Sequence, residues 1–227
     1  MEWLPEPLQE IWFYKSSPTG HKSLCRQEKA VSCSKARVKE MEEDGKFPVL
    51  ETQRLVMREI TLDDLDWYLA HFSIPEIVEG TAYPAPKDRE TARKELDRYI
   101  LNLFREKKGF RWGITERGSS KLIGSCGFYK WVKEEARSAE IGYDLNPAYW
   151  GKGIMTESLE TMIRFGFERM SLNRIQVLIP SHNGPSMRLV QRLRFKEEGV
   201  LRDRSYFQGR YVDDVCFSLL RREWSSR

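Results

Sequence analysis

Hydrophobic residues recur along this chain with two periods, and the places where one gives way to the other mark its elements. Over residues 53–60, Leu55 and Met57 alternate with Arg54 and Arg58, which predicts a half-buried strand. Thr61 then opens a helix, with Asp64 as its capping-box partner and Leu62, Leu65, Leu69 and Phe72 on one face. A Pro-containing loop (Pro75, Pro84, Pro86) leads to a second helix capped by Asp88, with Ala92, Leu96, Tyr99, Ile100, Leu103 and Phe104 at helical spacing. Strands follow at residues 110–115, 121–131 and 138–145, with turns at Gly118 and at 134–137. A helix over 153–170 turns Met155, Leu159, Met162, Ile163 and Met170 inward, and residues 174–179 alternate Ile175, Val177 and Ile179 as a strand. Pro185 starts a further helix ending near Arg194, and two last strands flank a turn at Gln208–Gly209, the final one over 212–220. The order β-α-α-β-β-β-α-β-α-β-β is a mixed α/β pattern without regular βαβ repetition.

Residues 1–46 do not follow this pattern. Trp12, Phe13 and Tyr14 cluster, and a Ser/Lys/Glu-rich stretch then runs to Gly45 without a period. We read residues 1–46 as a flexible N-terminal extension and residues 47–227 as the folded domain; Met41 would itself make an alternative beginning, with the preceding stretch an over-long reading frame. His21, Cys25 and Cys33 lack a fourth ligand and a metal-site spacing, so no metal is expected.

Composition narrows the class. Of 227 residues, 40% are hydrophobic and 32% charged, a globular balance. No apolar run approaches the roughly 20 residues that span a bilayer. Glu2, Pro5 and Glu6 stand where a signal peptide needs a basic start and an apolar core, so a cytoplasmic protein away from membranes is expected. The net charge of +4 is spread without a dense block or a nucleic-acid motif. Cys126 and Cys216 sit in strand-like runs and form no CxxC pair; inert thiols are the expectation.

One segment carries chemistry. In NPAYWGKGIMT (146–156) a strand ends at Leu145, and Gly151-Lys152-Gly153 then opens an apolar-periodic helix. The first amides of a helix have no internal partner and carry the positive end of its dipole. Two glycines let an anion approach them, and Lys152 adds a charge. The third glycine of a dinucleotide fingerprint is missing, and Lys152 is followed by Gly153 where a Walker motif needs Ser or Thr. By these residues alone, the turn is either an anion site or a tight strand-to-helix connection.

The segment closely resembles the cofactor loop of the GNAT superfamily, in the branch that holds ribosomal-protein-alanine N-acetyltransferases. The resemblance continues at Asn183-Gly-Pro-Ser186, at Leu193-Arg-Phe195-Lys-Glu-Glu-Gly199 and in the closing run from Asp213 to Trp224, and so covers roughly residues 50–224. Ala148 stands where the superfamily often has Gln or Arg, Arg194 where a Gly is usual before Phe195, and Val190 where many members carry a tyrosine acid.

The resemblance implies an acetyl-CoA-dependent N-acetyltransferase whose mostly antiparallel sheet splays at the CoA site. It places pantetheine between the strand ending Tyr143-Asp144-Leu145 and the strand 174–179. Backbone amides of Trp150, Gly151, Lys152, Gly153, Ile154 and Met155 would cradle the pyrophosphate, and Asn183 would reach the pantetheine or its thioester end. Direct transfer needs a base for the amine, and Glu140 is the candidate; it reads equally as a salt-bridged strand carboxylate. Ser186 would donate to the leaving thiolate, or else serves the backbone of its helix. Tyr143 reads as core, and His182 as an exposed imidazole. No metal or covalent intermediate is implied. The acceptor it implies is a protein N-terminus, ribosomal in the branch it resembles, or a small amine such as a polyamine, amino acid or aminoglycoside; a non-catalytic acyl-CoA-binding module is the third reading. The acceptor groove is expected from residues 73–87 and the last hairpin, where Phe72, Tyr83, Tyr206, Phe207 and Tyr211 read equally as groove or as core, with an acidic rim at Glu76 and Glu79. The family and the edge strands near the C-terminus imply a homodimer.

Overall fold

A computed structural model describes residues 46–224; His21, Cys25, Cys33 and the rest of the extension before Lys46 lie outside the described residues. The chain first forms a short strand β1 (Leu50–Glu51), which the sequence pattern did not reveal, and then β2 (Leu55–Glu59). At Thr61 the capping box forms as expected, opening a single 3₁₀ turn that runs into helix α1 (Leu65–His71). The Pro-containing loop is corrected: it holds a helix, α2 (Pro75–Thr81), with Pro75 in the first turn where a missing N–H costs nothing. Asp88 caps α3 (Arg89–Leu96), accepting from the Thr91 amide; a π-helical turn at Asp97–Leu101 then leads into α4 (Asn102–Arg105).

Three strands, β3 (Phe110–Glu116), β4 (Leu122–Val132) and β5 (Ser138–Leu145), follow where the turn residues between them set their ends. Helix α5 (Ile154–Glu168) begins after Gly153, strand β6 (Arg174–Pro180) returns, and α6 (Gly184–Arg192) starts with Asn183 as its cap. Arg194, in the place where a glycine is usual, does adopt the left-handed conformation, with φ 69°. Strands β7 (Lys196–Phe207) and β8 (Arg210–Leu220) form the last hairpin, turning through Gln208 (φ 49°) and Gly209 (φ 80°), and α7 (Arg221–Trp224) ends the described chain.

Among the described residues, eight strands join one sheet in the order β1-β2-β3-β4-β5-β6-β8-β7. Every pairing is antiparallel except that of β5 with β6. The main core lies between the sheet and α5, where Met155, Leu159, Met162, Ile163 and Phe167 meet Trp112, Phe128, Ile141 and Ile175. A second cluster, Ile60, Leu65, Tyr68, Ala92, Leu96 and Ile100, seals α1 and α3 onto the sheet. Each large side chain so buried is worth about 1.5–3 kcal/mol. Cys126 is buried and Cys216 half-buried, both in strands. No helix among the described residues is long and apolar enough to cross a membrane.

Candidate active site

The site begins where the parallel pairing of β5 with β6 ends. β5 and β6 are in register at Ser138–Arg174, Ala139–Ile175 and Glu140–Gln176, and no further. β5 nevertheless runs on to Leu145 and β6 to Pro180, so the two strands part and leave backbone edges facing a cleft. A parting of this kind leaves strand N–H and C=O groups free for a third, extended partner.

At the far end of β5 the chain turns through Pro147–Tyr149 into the glycine pair. Asn146 accepts from the Ala148 amide at 3.0 Å, and the Trp150 indole donates to the Leu145 carbonyl at 2.7 Å, which pins the turn to the strand end. Gly151 and Gly153 have φ +73° and +74°, conformations costly for any residue with a Cβ, and a Cβ at Gly151 would point into open space. Gly153 caps α5 without a side-chain bond, so the amides of the first turn of this fifteen-residue helix are left to whatever approaches. Ile154 and Met155 bury their side chains in the core, so they can offer only backbone. Lys152 lies over the Tyr149 ring at 5.0 Å.

A second cation at this turn escaped the sequence reading. Arg54 of the 53–60 stretch donates to Glu157 Oε2 at 2.8 and 2.6 Å and to the Lys152 carbonyl at 3.3 Å. Burial works against the Glu157 carboxylate, but bonds from Thr52 and Arg54 outweigh it and hold its pKa below the ordinary value. Arg54 thus neutralises the acidic group beside the helix start.

Glu140 is buried, 5% exposed, at the last paired position of β5. Lys130 donates to its two oxygens at 3.1 and 3.2 Å, and Gln176 donates to Oε2 at 3.1 Å. Lys130 reaches it from a bulge between Tyr129 and Val132, where its own φ is 50°. The salt-bridged carboxylate and the candidate base are therefore the same group, held at the mouth of the cleft.

Ser186 and Tyr143 meet across the cleft: their hydroxyl oxygens are 2.5 Å apart. Burial raises the Tyr143 phenol to about 12, with the Ser186 bond opposing, so the phenol stays protonated at neutral pH. Asn183 accepts from the Ser186 amide at 3.1 Å and donates to the Gly80 carbonyl at 2.7 Å, so its amide serves the chain itself at both ends. His182 is exposed, as expected, with Nε2 2.8 Å from the Glu79 carbonyl oxygen.

Sequence reading also passed over a buried cluster two positions along β5 from Gly142. Asp144 receives bonds from His71 (2.6 Å), from the Ser125 hydroxyl (2.7 Å) and amide (3.1 Å), and from Arg111. Burial alone would raise this carboxyl, but the Arg111 charge, then His71 and Ser125, bring it down to about 2. A second acidic side chain in β5, on the same face as Glu140, was the available signal; its partners, remote in sequence, were not legible.

On the expected acceptor side, Tyr206 and Tyr211 pack edge to face at 5.1 Å and are 66% and 67% exposed. Tyr83 is also exposed, whereas Phe207 takes the core alternative, 3% exposed. Glu76 and Glu79 are both exposed. Glu79 does not stand as a free acidic rim: it lies 3.8 Å from both His182 and Arg210, which brings α2 against the hairpin tip.

Comparison with known proteins places these features. The model of the acetyltransferase (GNAT) domain matches residues 54–196. The chain is 36% identical over 176 residues to the uncharacterized N-acetyltransferase p20 of Bacillus licheniformis, covering 78% of this chain and 98% of that protein. It is 28% identical over 184 residues to the [ribosomal protein uS5]-alanine N-acetyltransferase of Escherichia coli, covering 78% of this chain and 92% of the relative. A crystal structure of a probable acetyltransferase superposes with a TM-score of 0.70 at 27% identity, over 78% of this chain and 99% of the other.

Proposed function

The chain belongs to the GNAT acetyltransferase family, and from that premise we propose that it moves the acetyl group of acetyl-CoA to the N-terminal amine of a protein. The parting of β5 from β6 after Glu140 and Gln176, with a glycine-opened helix start at its far end, carries this reading. It offers an extended cleft for pantetheine and free amides for a pyrophosphate in one continuous path. The backbone of Tyr143 and of Leu145 would hold the pantetheine, and the amides from Trp150 to Met155, with Lys152, the pyrophosphate.

In the transfer a nitrogen–carbon bond forms and the carbon–sulfur bond breaks. Glu140, held by Lys130 and Gln176 at the point of parting, takes the amine proton, directly or through water. Ser186, backed by the protonated Tyr143 hydroxyl, supplies a proton to the departing sulfur. Asn183 is proposed to act by holding the loop that presents Ser186, through its bonds to the Ser186 amide and to Gly80.

A protein acceptor is favoured by the exposed Tyr83, Tyr206 and Tyr211 beside α2, a surface suited to a polypeptide, and by the acceptor named for the Escherichia coli relative. In the same reading the enzyme works in the cytoplasm, and as a homodimer that covers Val200 and Leu201, exposed on the edge strand β7. The test is an acceptor panel with labelled acetyl-CoA: ribosomal proteins and their N-terminal peptides, spermidine, amino acids and aminoglycosides. Label on a peptide N-terminus supports the proposal. Label on small amines alone overturns the acceptor, and CoA binding without any transfer overturns catalysis.

A further inference from the structure

Helix α2 (Pro75–Thr81) packs against both β5 and β6, the two strands that part. Its two ends are fastened to opposite sides of that parting. At the C-terminal end, the Gly80 carbonyl accepts from Asn183 at 2.7 Å, and the Glu79 carbonyl lies 2.8 Å from His182, both on the loop that follows β6. At the N-terminal end the chain leaves α1 through His71, whose carbonyl accepts from the Ile74 amide at 3.2 Å, immediately before Pro75. The His71 ring reaches down to Asp144 Oδ1 at 2.6 Å, on β5 beyond its last pairing with β6.

The pair is built with care. His71 is 2% exposed and stacks on Trp67 at 4.8 Å, so its ring has one place to be. Asp144 is fixed in turn by Ser125 and Arg111, and Arg111 Nε also bonds the Ser125 hydroxyl at 3.0 Å. The carboxylate and the guanidinium balance each other, so His71 is not needed to neutralise the charge. Its Nδ1 is buried and has no hydrogen-bond partner among the described residues. An apolar side chain would fill the same space without leaving a bare nitrogen, so the imidazole is better explained by its directional bond to Asp144 than by packing. Flanking Asp144, Tyr143 turns its hydroxyl to Ser186 and Leu145 gives its carbonyl to Trp150. A single residue of β5 therefore joins the proposed donor edge to the helix that bridges the cleft.

We propose that His71 and Asp144 are positioning residues that set α2, as the acceptor-side wall, against the diverging end of β5. This rests on the acetyl-transfer reading above and assigns regulation of acceptor alignment to a pair outside the reacting groups. Losing the bond leaves the donor cleft intact and lets α2 shift, so acceptor binding suffers before cofactor binding does.

The experiment compares full-length wild type with His71→Leu, His71→Gln and Asp144→Asn, using the best acceptor from the panel. Steady-state kinetics give KM for the acceptor and kcat, and calorimetry gives Kd for CoA. His71→Leu and Asp144→Asn should raise acceptor KM about tenfold, with kcat within about threefold of wild type and CoA affinity unchanged. His71→Gln, which keeps an N–H near the position of Nε2, should recover most of the loss. Unchanged acceptor KM in folded variants overturns the proposal, as does a parallel fall in CoA affinity. A glutamine variant no better than leucine also overturns it. Should Asp144→Asn fail to fold, the two His71 variants decide alone. A wild type that acetylates nothing overturns the transfer reading and this inference with it, whereas an active wild type with unaffected variants overturns the pair alone.

Discussion

The hydroxyl oxygens of Tyr143, on β5, and Ser186, on α6, stand 2.5 Å apart across the cleft between the parted strands. Each anchors the other: Tyr143 is held on the parted edge of β5, and Ser186 is turned toward it. A pair of hydroxyls can pass a proton to a leaving thiolate while the phenol, pushed up to about 12, stays neutral. Ser186→Ala should lower kcat about a hundredfold with little change in CoA affinity, and Tyr143→Phe should cost less because Ser186 remains. Single-turnover measurement of the transfer step checks this. Equal rates for Ser186→Ala and wild type would remove Ser186 from the chemistry.

Glu140 sits where the strands part and is gripped from two sides, by Lys130 and Gln176. Glu140→Gln keeps the shape and the Gln176 neighbour but cannot accept a proton. Turnover should fall by about a hundredfold or more while CoA affinity stays near that of wild type. Steady-state kinetics with calorimetry separate the two effects, and an unaltered kcat would leave Glu140 a structural carboxylate.

The glycine turn makes a prediction about the donor alone. At φ +73° a side chain on Gly151 is strained by about 1–2 kcal/mol, and a Cβ would project into the open space before the helix amides. Gly151→Val and Gly153→Val together should weaken CoA binding by about tenfold or more, with the helix itself retained by circular dichroism. Retained affinity in calorimetry would contradict the assignment of the turn.

Asp144 links the site to acid stability. Its folded pKa of about 2 lies below the ordinary carboxylate value of 3.8, so the group favours the folded state when ionised. That contribution is complete above about pH 5 and is lost as pH falls through 3.8 toward 2. A shift of this size corresponds to roughly 2 kcal/mol. Urea unfolding at pH 6 and pH 3 should show wild type losing about half of this amount, roughly 1 kcal/mol, in addition to other groups' contributions. In Asp144→Asn that part of the pH dependence should be absent, and the protein should be less stable at pH 6 because Arg111 loses its partner.

Much of the architecture could be read from local pattern, for reasons visible in particular residues. Strand-like runs between turn residues placed β3 to β5, and alternation placed β6, within a residue or two; β6 alone alternates strictly, whereas β4 is buried on both faces from Leu122 to Phe128. Asp88 and the Thr61–Asp64 box marked helix starts, since caps act within a few residues. Helix α2 was lost to its own composition: Pro75, Gly80 and Thr81 look like a loop, and only its packing across β5 and β6 makes seven such residues helical. The Gly151–Gly153 turn was visible because its chemistry is carried by consecutive residues. Arg54 was not seen there, because it arrives from the turn just before β2, across a separation of 103 positions, to meet Glu157.

What the sequence determined by itself was therefore local: the periods, the caps, the left-handed glycines and the run that matches a family. Tertiary structure alone decided where β5 leaves β6, because Glu140 and Gln176 are 36 positions apart and strand pairing ends by packing and twist, not by any single residue. It alone put His71 on Asp144 across 73 positions, and Tyr143 on Ser186 across 43. Hydrogen bonds and charges act over a few ångströms of space, and the chain's order carries that distance only for neighbours.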